Sequence, residues 1–175
     1  MGRLRAGRLG AVNLSPPRLL FVCTANMNRS VTAAAWAEKW FSERFVSAEI
    51  QSAGTHAYDG APAAASTIEA MFEHGFDLRE HRTRRVSGVL VGWADHVVLM
   101  EPMHLEVVRG LAPDAEDKFL PMWPFVGDGE GDHVLDPHGG PLEGYRGMAS
   151  SLSDASKQLV AHVLAERRRR RRTQR

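Results

Sequence analysis

The chain has 175 residues, of which 43% are hydrophobic and 25% charged, a composition that predicts one globular domain with a buried core. No apolar run approaches the roughly 18 residues of a membrane helix, and no apolar signal region follows the basic start, so we expect a cytoplasmic protein without membrane insertion. The single cysteine excludes an internal disulfide, which is typical of a reducing compartment.

The formal net charge of +1 conceals an uneven distribution along the chain. Seven arginines fall within the last nine residues, so the remainder carries 15 basic and 21 acidic side chains. We expect a mildly acidic domain at residues 18–166 and a solvated basic tail at 167–175. The alternative is an electrostatic contact of the tail with nucleic acid, anionic lipid or an acidic partner. No aromatic residue interleaves the arginines, so nucleic acid is expected at most as an accessory partner. Residues 1–17 lack any sustained period and are predicted to be a disordered extension.

Periodicity and turn residues divide the domain into alternating strands and helices. Short apolar or β-branched runs predict four strands, at 19–23, 48–51, 95–100 and 118–120, with a turn at 52–55. Apolar residues at helical spacing predict five helices, at 30–45, 62–74, 86–93, 102–110 and 150–167. A long loop at 121–140 precedes the last helix. This order predicts an α/β fold of three layers, in which a four-stranded parallel sheet has helices on both faces.

The first strand ends in Cys23, and the spacing from Cys23 to Arg29 and Ser30 indicates phosphate chemistry. The loop at 23–30 can direct several backbone N–H groups into one concavity at a helix N-terminus, which suits a phosphate dianion or a thiolate. The planar guanidinium of Arg29 can hold two phosphoryl oxygens at once, and Ser30 can donate a hydrogen bond to the sulfur. The alternative is that Cys23 is simply a small core residue at a strand end.

A thiol nucleophile acting on a phosphate ester also needs a proton donor for the leaving group. The best candidate is Asp136 in the long loop, where Pro137 restricts the neighbouring backbone. Three other acids of this loop remain competitors on spacing alone: Asp128, Glu130 and Asp132.

These features together resemble the low-molecular-weight protein tyrosine phosphatase family over nearly the whole domain, from about Arg18 to Glu166. Four blocks match the family pattern in order: VCTANMNRSV at 22–31, SAGT at 52–55, GFDLREHRTR at 75–84 and the dipeptide Asp136-Pro137.

The resemblance implies that Cys23 attacks the phosphorus of a phosphotyrosine-bearing protein while Asp136 protonates the leaving alcohol. Asp136 then activates water against the phosphocysteine, and Arg29 with the loop N–H groups holds the phosphoryl oxygens. No cofactor and no metal are expected. The other loop residues are expected to bind phosphate or support the loop: Thr24, Ala25, Asn26, Met27 and Asn28.

In the family, an asparagine, two serines and a histidine form a hydrogen-bonded network that supports this loop. Asn26, Ser30, Ser52 and His81 match those four positions. Asparagine suits such a place because it tolerates left-handed backbone angles.

Three positions depart from the family pattern. Ala25 replaces a glycine, which would strain the backbone if that position had a positive φ. Asn28 replaces a second cysteine that can form a disulfide with the nucleophile, so Cys23 is expected to oxidise past the sulfenic acid. His138 stands where many members place an aromatic residue beside the substrate ring. The substrate walls are therefore expected to be Tyr58 and a thinner one at His138.

Met27 bears on the choice of substrate. Family members acting on phosphoarginine tend to have a small polar residue there, and those acting on phosphotyrosine a branched apolar one. Met27 therefore favours phosphotyrosine and leaves phosphoarginine as the alternative. The arsenate reductases of the same family pass a disulfide along several cysteines, which a single cysteine excludes. A phosphate-binding module of this fold with little or no turnover stays open.

Overall fold

The computed structural model describes residues 15–127 and 133–173, and a sheet at the centre of this region positions the candidate site. The strands are β1 at Arg18–Cys23, β2 at Glu49–Gly54, β3 at His96–Leu99 and β4 at Phe119–Pro121. Neighbouring strands are parallel, and their order across the sheet is β2-β1-β3-β4. The chain passes from β1 to β2 on one side of β1 and then crosses to β3 on the other side of β1. The carboxyl end of β1 is therefore a topological switch point.

Helices cover both faces of this sheet, as the alternating pattern predicted. Within the described ranges they are α1 at Arg29–Ser42, α2 at Ala65–Phe72, α3 at Gly88–Trp93, α4 at Pro102–Leu111 and α5 at Leu142–Thr173. Alternate side chains of β1 point to opposite faces. Leu19 and Phe21 pack with α1, α2 and α5, whereas Leu20 and Val22 pack with α3 and α4. The three-layer α/β fold is confirmed.

β2 runs further than its composition predicts. The segment predicted as a turn after residue 51 continues as strand to Gly54, and β1 pairs with β2 along its whole length. This pairing satisfies the backbone groups of Ser52 and its neighbours, which have little strand preference of their own. Its register places Gly54 directly opposite Cys23.

α5 differs most from its predicted bounds. It begins at Leu142 rather than at residue 150, because burial of Tyr145 and the residues on its face outweighs the weak helix preference of Gly144 and Gly147. It also continues past Arg167 to Thr173. Arginine is a good helix former and its charge is favourable at a helix C-terminus, so nothing in the basic segment ends the helix. The other helix boundaries differ from the prediction by a turn or less.

Two predicted features lie outside the described residues. They are most of the extension, at residues 1–14, and the loop segment 128–132 with its three competing acids. Short 3₁₀ turns at Pro113–Lys118 and Trp123–Phe125 flank β4. No helix of the described ranges is long and apolar enough to cross a membrane.

Candidate active site

Cys23 lies at the carboxyl end of β1, where the chain turns through a short loop into α1. The backbone N–H of Thr55 donates to the carbonyl of Cys23 at 2.9 Å, and that of His56 donates to the carbonyl of Thr24 at 2.8 Å, so β2 holds the start of the loop. Cys23 is 2% exposed, and its sulfur lies 3.0 Å from Oγ of Ser30. The N–H of Asn26 donates to the same sulfur at 3.3 Å. A hydroxyl and a backbone amide thus lie within hydrogen-bonding distance of the same sulfur.

Asn26 lies at the centre of the loop and is fully buried. Its φ is 59°, the left-handed conformation that asparagine tolerates. Its Nδ2 donates to the hydroxyls of Ser30 and Ser52, both at 2.9 Å, and its Oδ1 accepts from the N–H of Arg84 at 3.0 Å. Nε2 of His81 lies 2.8 Å from the carbonyl of Asn26, and burial lowers the pKa of His81. The structure thus brings together the four residues matched to the family network.

The strain considered for Ala25 does not arise. Among the described residues, only Asn26 and Phe45 have a positive φ without being glycine. The close approach falls on Gly54 instead. A Cβ there would lie 2.5 Å from the carbonyl oxygen of Thr24 and 2.8 Å from the backbone nitrogen of Asn26. The loop can therefore occupy its position only because β2 has no side chain at Gly54.

Arg29 is 3% exposed and is held by two carboxylates. Its Nη1 donates to Oε1 of Glu101 at 2.9 Å, and its Nη2 lies 3.0 Å from Oδ2 of Asp136. Nη1 also donates to the carbonyl of Val134 at 3.0 Å, and Nη2 to Oγ1 of Thr24 at 3.2 Å. A buried guanidinium requires such acceptors, and together they fix its plane beside the loop.

Asp136 comes to the loop from the other end of the chain. Its carboxylate is about one-third exposed and accepts from Nδ2 of Asn28 at 3.0 Å and from the N–H of His138 at 3.1 Å. Asn28, 4% exposed, in turn accepts a hydrogen bond of 2.8 Å from the hydroxyl of Thr67 in α2. The site thus holds a carboxylate, a guanidinium and a thiol at one edge of the sheet.

The side chains expected to contact the substrate are more exposed than the thiol and the guanidinium of the site. The side chain of Tyr58 is 88% exposed, and its carbonyl accepts from the hydroxyl of Thr83. His138 is exposed next to Asp136, and Met27 is half-buried in the loop. The roles of these three side chains toward a substrate stay predictions.

Sequence reasoning missed several residues of this site, chief among them Glu101 and His104. His104 is fully buried, and its Nε2 lies 3.0 Å from Oγ1 of Thr24 and 3.3 Å from Oε1 of Glu101. Burial, with the positive charge of Arg29 adding to it, lowers the pKa of His104 to about 4. Glu101 follows the carboxyl end of β3, so the rule that such sheets bind ligands at strand ends could have indicated it.

Within the described ranges, no cluster of three or more His, Cys, Asp or Glu side chains could hold a metal ion. A buried thiol beside a hydroxyl, with a guanidinium and a carboxylate at the same sheet edge, defines a cysteine-dependent phosphatase of α/β fold. The model of the family described as low molecular weight phosphotyrosine protein phosphatase matches residues 18–169, so the chain belongs to that family. It is a hydrolase of phosphoric monoesters.

Relatives named for two different substrates resemble the chain. It is 33% identical over 151 residues to a protein-arginine-phosphatase of Geobacillus stearothermophilus, covering 86% of this chain and 99% of that protein. It is 25% identical over 140 residues to the low molecular weight protein-tyrosine-phosphatase Etp of Escherichia coli K12, covering 80% of this chain and 90% of that protein.

Solved structures show the same division. The YwlE arginine phosphatase from G. stearothermophilus superimposes with a TM-score of 0.75 at 33% identity, covering 86% of this chain and 95% of that one. The low molecular weight protein tyrosine phosphatase from T. tengcongensis superimposes with a TM-score of 0.77 at 32% identity, covering 83% and 99%.

Proposed function

We propose that the chain hydrolyses phosphotyrosine in cytoplasmic proteins, with Cys23 as nucleophile, Arg29 as phosphate clamp and Asp136 as general acid and base. The observation that carries the proposal is the meeting of these three groups at the carboxyl end of β1. Nη2 of Arg29 lies 3.0 Å from Asp136, and the sulfur lies 3.0 Å from Ser30. Placement of a nucleophile, a cation and a proton donor around one phosphate-sized space is what phosphoryl transfer needs.

In the first half-reaction, the thiolate of Cys23 attacks phosphorus and the bond from phosphorus to the tyrosine oxygen breaks. Asp136 gives its proton to the departing phenolate, while Arg29 and the loop N–H groups hold the phosphoryl oxygens. In the second half-reaction, Asp136 takes a proton from water, which attacks the phosphocysteine. The bond from phosphorus to sulfur breaks, inorganic phosphate leaves, and the thiolate is restored while the hydroxyl of Ser30 donates a hydrogen bond to it.

The ion pair between Arg29 and Asp136 explains how the site is held before substrate binds. A phosphoryl group is a stronger bidentate partner for a guanidinium than a single carboxylate oxygen. We expect it to take over Nη2 of Arg29 and release Asp136 toward the leaving group. Glu101 remains on Nη1 and keeps the guanidinium plane in place.

Hydrolysis of para-nitrophenyl phosphate and of a phosphotyrosine peptide by the full chain tests the proposal. Cys23→Ser and Arg29→Lys should each abolish turnover, and Asp136→Asn should lower it by about two orders of magnitude or more. Wild-type protein without any activity between about pH 5 and 7, the range in which such an acid-base pair operates, would leave the phosphate-binding module as the better description.

A second candidate substrate is phosphoarginine, because the chain is 33% identical to a relative named for that activity. Met27 decides between the two in our proposal, since a small polar residue at this position accompanies phosphoarginine in the family. The test compares kcat/KM for phosphotyrosine and phosphoarginine peptides of the same sequence. Met27→Thr should move the ratio toward phosphoarginine, whereas the matched variant Met27→Ile should not. A wild-type preference for phosphoarginine would replace the first substrate and leave the mechanism unchanged.

A further inference from the structure

The last turns of α5 carry six consecutive arginines, Arg167–Arg172, whose charges are unbalanced. No carboxylate of the described ranges lies within ion-pair distance of any of them, and the side chain of Arg167 donates instead to the carbonyl of Ser15 at 2.7 Å. An α-helix has 3.6 residues per turn, so six successive arginines surround its axis. Any flat surface beside this segment therefore meets several guanidinium groups at once.

Phe45 gives the neighbouring end of α1 an unusual exposed aromatic side chain. It is 99% exposed with a φ of 55°, in the left-handed position of a helix end where glycine is usual. Two backbone hydrogen bonds define this end. The N–H of Phe45 donates to the carbonyl of Ser42 at 2.9 Å, and the N–H of Val46 donates to the carbonyl of Phe41 at 3.1 Å. α2 ends with the equivalent pair of bonds, and there the left-handed residue is Gly75. Neither the backbone nor the packing of the domain favours phenylalanine at position 45.

The arginines and Phe45 belong to one surface. A shallow groove of about 400 Å³ is lined by Phe45 and Val46 on one side and by Leu164, Arg168 and Arg171 on the other. We name the surface formed by Phe45, Val46 and Arg167–Arg172 the basic face.

The basic face lies opposite the candidate active site. Arg167 contacts Ser15, which lies three residues before the start of β1 at Arg18, so this end of α5 is at the amino edge of the sheet, whereas Cys23 is at the carboxyl edge. The residues before Ser15 add three arginines and no acid to the sequence: Arg3, Arg5 and Arg8. A large flat partner bound here would leave the thiol facing away from it.

We propose that the basic face docks on the surface of an anionic lipid bilayer. Clustered arginines are attracted to negatively charged headgroups, and an aromatic side chain beside them fits the boundary between headgroups and acyl chains. A nucleic-acid duplex would complement the charge but offers no apolar layer to receive the phenyl group. The protein lies on the bilayer without crossing it, and its active site stays open to phosphoproteins near the membrane.

Sedimentation of the full chain with phosphatidylcholine vesicles, with and without phosphatidylserine, tests this proposal. We expect binding only to the anionic vesicles, weakening as salt is raised. Arg168→Glu combined with Arg171→Glu should weaken binding about tenfold or more. Phe45→Gly should weaken binding to the anionic vesicles several-fold while the salt dependence stays unchanged. Glycine also suits the left-handed backbone at this position. The matched control is Phe72→Ala, since Phe72 is 64% exposed but does not line the groove.

Each other outcome overturns the proposal. Equal binding to neutral and anionic vesicles would exclude recognition of headgroup charge. Unchanged binding by Phe45→Gly would remove the reason for preferring a bilayer. Tighter binding to a single-stranded or duplex oligonucleotide than to anionic vesicles, at equal accessible phosphate, would assign the face to nucleic acid. All variants should hydrolyse para-nitrophenyl phosphate as the wild type does, so the vesicle result stands apart from the proposed function.

Discussion

The side-chain amide of Asn28 donates a hydrogen bond of 3.0 Å to Oδ1 of Asp136, across 108 residues of sequence. Asn28 is itself fixed by the hydroxyl of Thr67, which donates to its Oδ1 at 2.8 Å. The residue that replaces the second cysteine of the family pattern therefore holds the carboxylate proposed as proton donor. These two hydrogen bonds connect α2, the phosphate loop and the segment before α5.

We predict that Asn28→Ala lowers kcat/KM for phenyl phosphate about tenfold, because a carboxyl group free to rotate delivers its proton less efficiently. The loss for para-nitrophenyl phosphate should be smaller, since nitrophenolate needs little protonation to leave. Steady-state kinetics with both esters, with inorganic phosphate as competitive inhibitor, measure this difference.

Thr67→Val is the matched variant, because it removes the hydroxyl that fixes Asn28 and nearly preserves the shape. It should show the same pattern to a lesser degree. An equal loss on the two esters, together with weaker inhibition by phosphate, would instead mean that Asn28 supports the loop alone.

Gly54→Ala, at the end of β2, should displace the phosphate loop that follows β1. The added Cβ would lie 2.5 Å from the carbonyl oxygen of Thr24, so the loop has to move away from β2. We expect a loss of about 1–3 kcal/mol in the free energy of unfolding, and about a hundredfold in kcat because a small displacement misaligns the nucleophile. Urea denaturation and ester hydrolysis measure the two effects.

Gly147→Ala in α5 is the control for this change, since a Cβ there meets no atom within 4 Å. It should stabilise the protein by about 0.5–1 kcal/mol and leave activity unchanged. A Gly54→Ala variant as active as the wild type would show that the loop tolerates the displacement.

Peroxide should inactivate the protein irreversibly, because Cys23 is the only cysteine and Asn28 stands in place of its usual disulfide partner. A sulfenic acid without a neighbouring thiol proceeds to the sulfinic acid, which dithiothreitol does not reduce. Activity before and after dithiothreitol measures the irreversible fraction. Asn28→Cys should make most of the loss recoverable; full recovery by the wild type after mild peroxide contradicts the prediction.

Stability should fall below neutral pH partly because of His104. Burial lowers the pKa of this side chain to about 4, whereas in the unfolded chain it is about 6.5. Above about pH 6.5 the side chain is neutral in both states and has no effect on the pH dependence. As pH falls from there toward 4, only the unfolded state gains the proton, which costs up to about 1.4 kcal/mol per pH unit.

Urea denaturation of the wild type and of His104→Gln at pH 7.5 and at pH 5.5 isolates this contribution. The wild type should lose about 1 kcal/mol more than the variant between these two conditions, since the other histidines titrate in both proteins. Equal losses would mean that His104 binds its proton at an ordinary pH in the folded state.

Local patterns were sufficient for the fold because each strand and helix carries its own period and the alternation of types permits few arrangements. They failed where long-range contacts outweigh local preference. Pairing with β1 keeps Ser52 to Gly54 extended, and burial of Tyr145 starts α5 ahead of its glycines. The sequence of each of these two segments does not contain the distant residues that determine its structure.

The same distinction applies to the site. The residues from Cys23 to Ser30 are contiguous, so their spacing alone indicated a phosphate loop, and a resemblance over the whole domain was needed to choose Asp136 over the three other acids of its loop. Only the tertiary structure revealed three long-range hydrogen-bonded contacts of the site. Glu101 contacts Arg29, His104 contacts Thr24 and Asn28 contacts Asp136, at separations of 72, 80 and 108 residues. Such contacts form where strand ends meet at one edge of the sheet, and the order of the strands, not any local pattern, decides which ends those are.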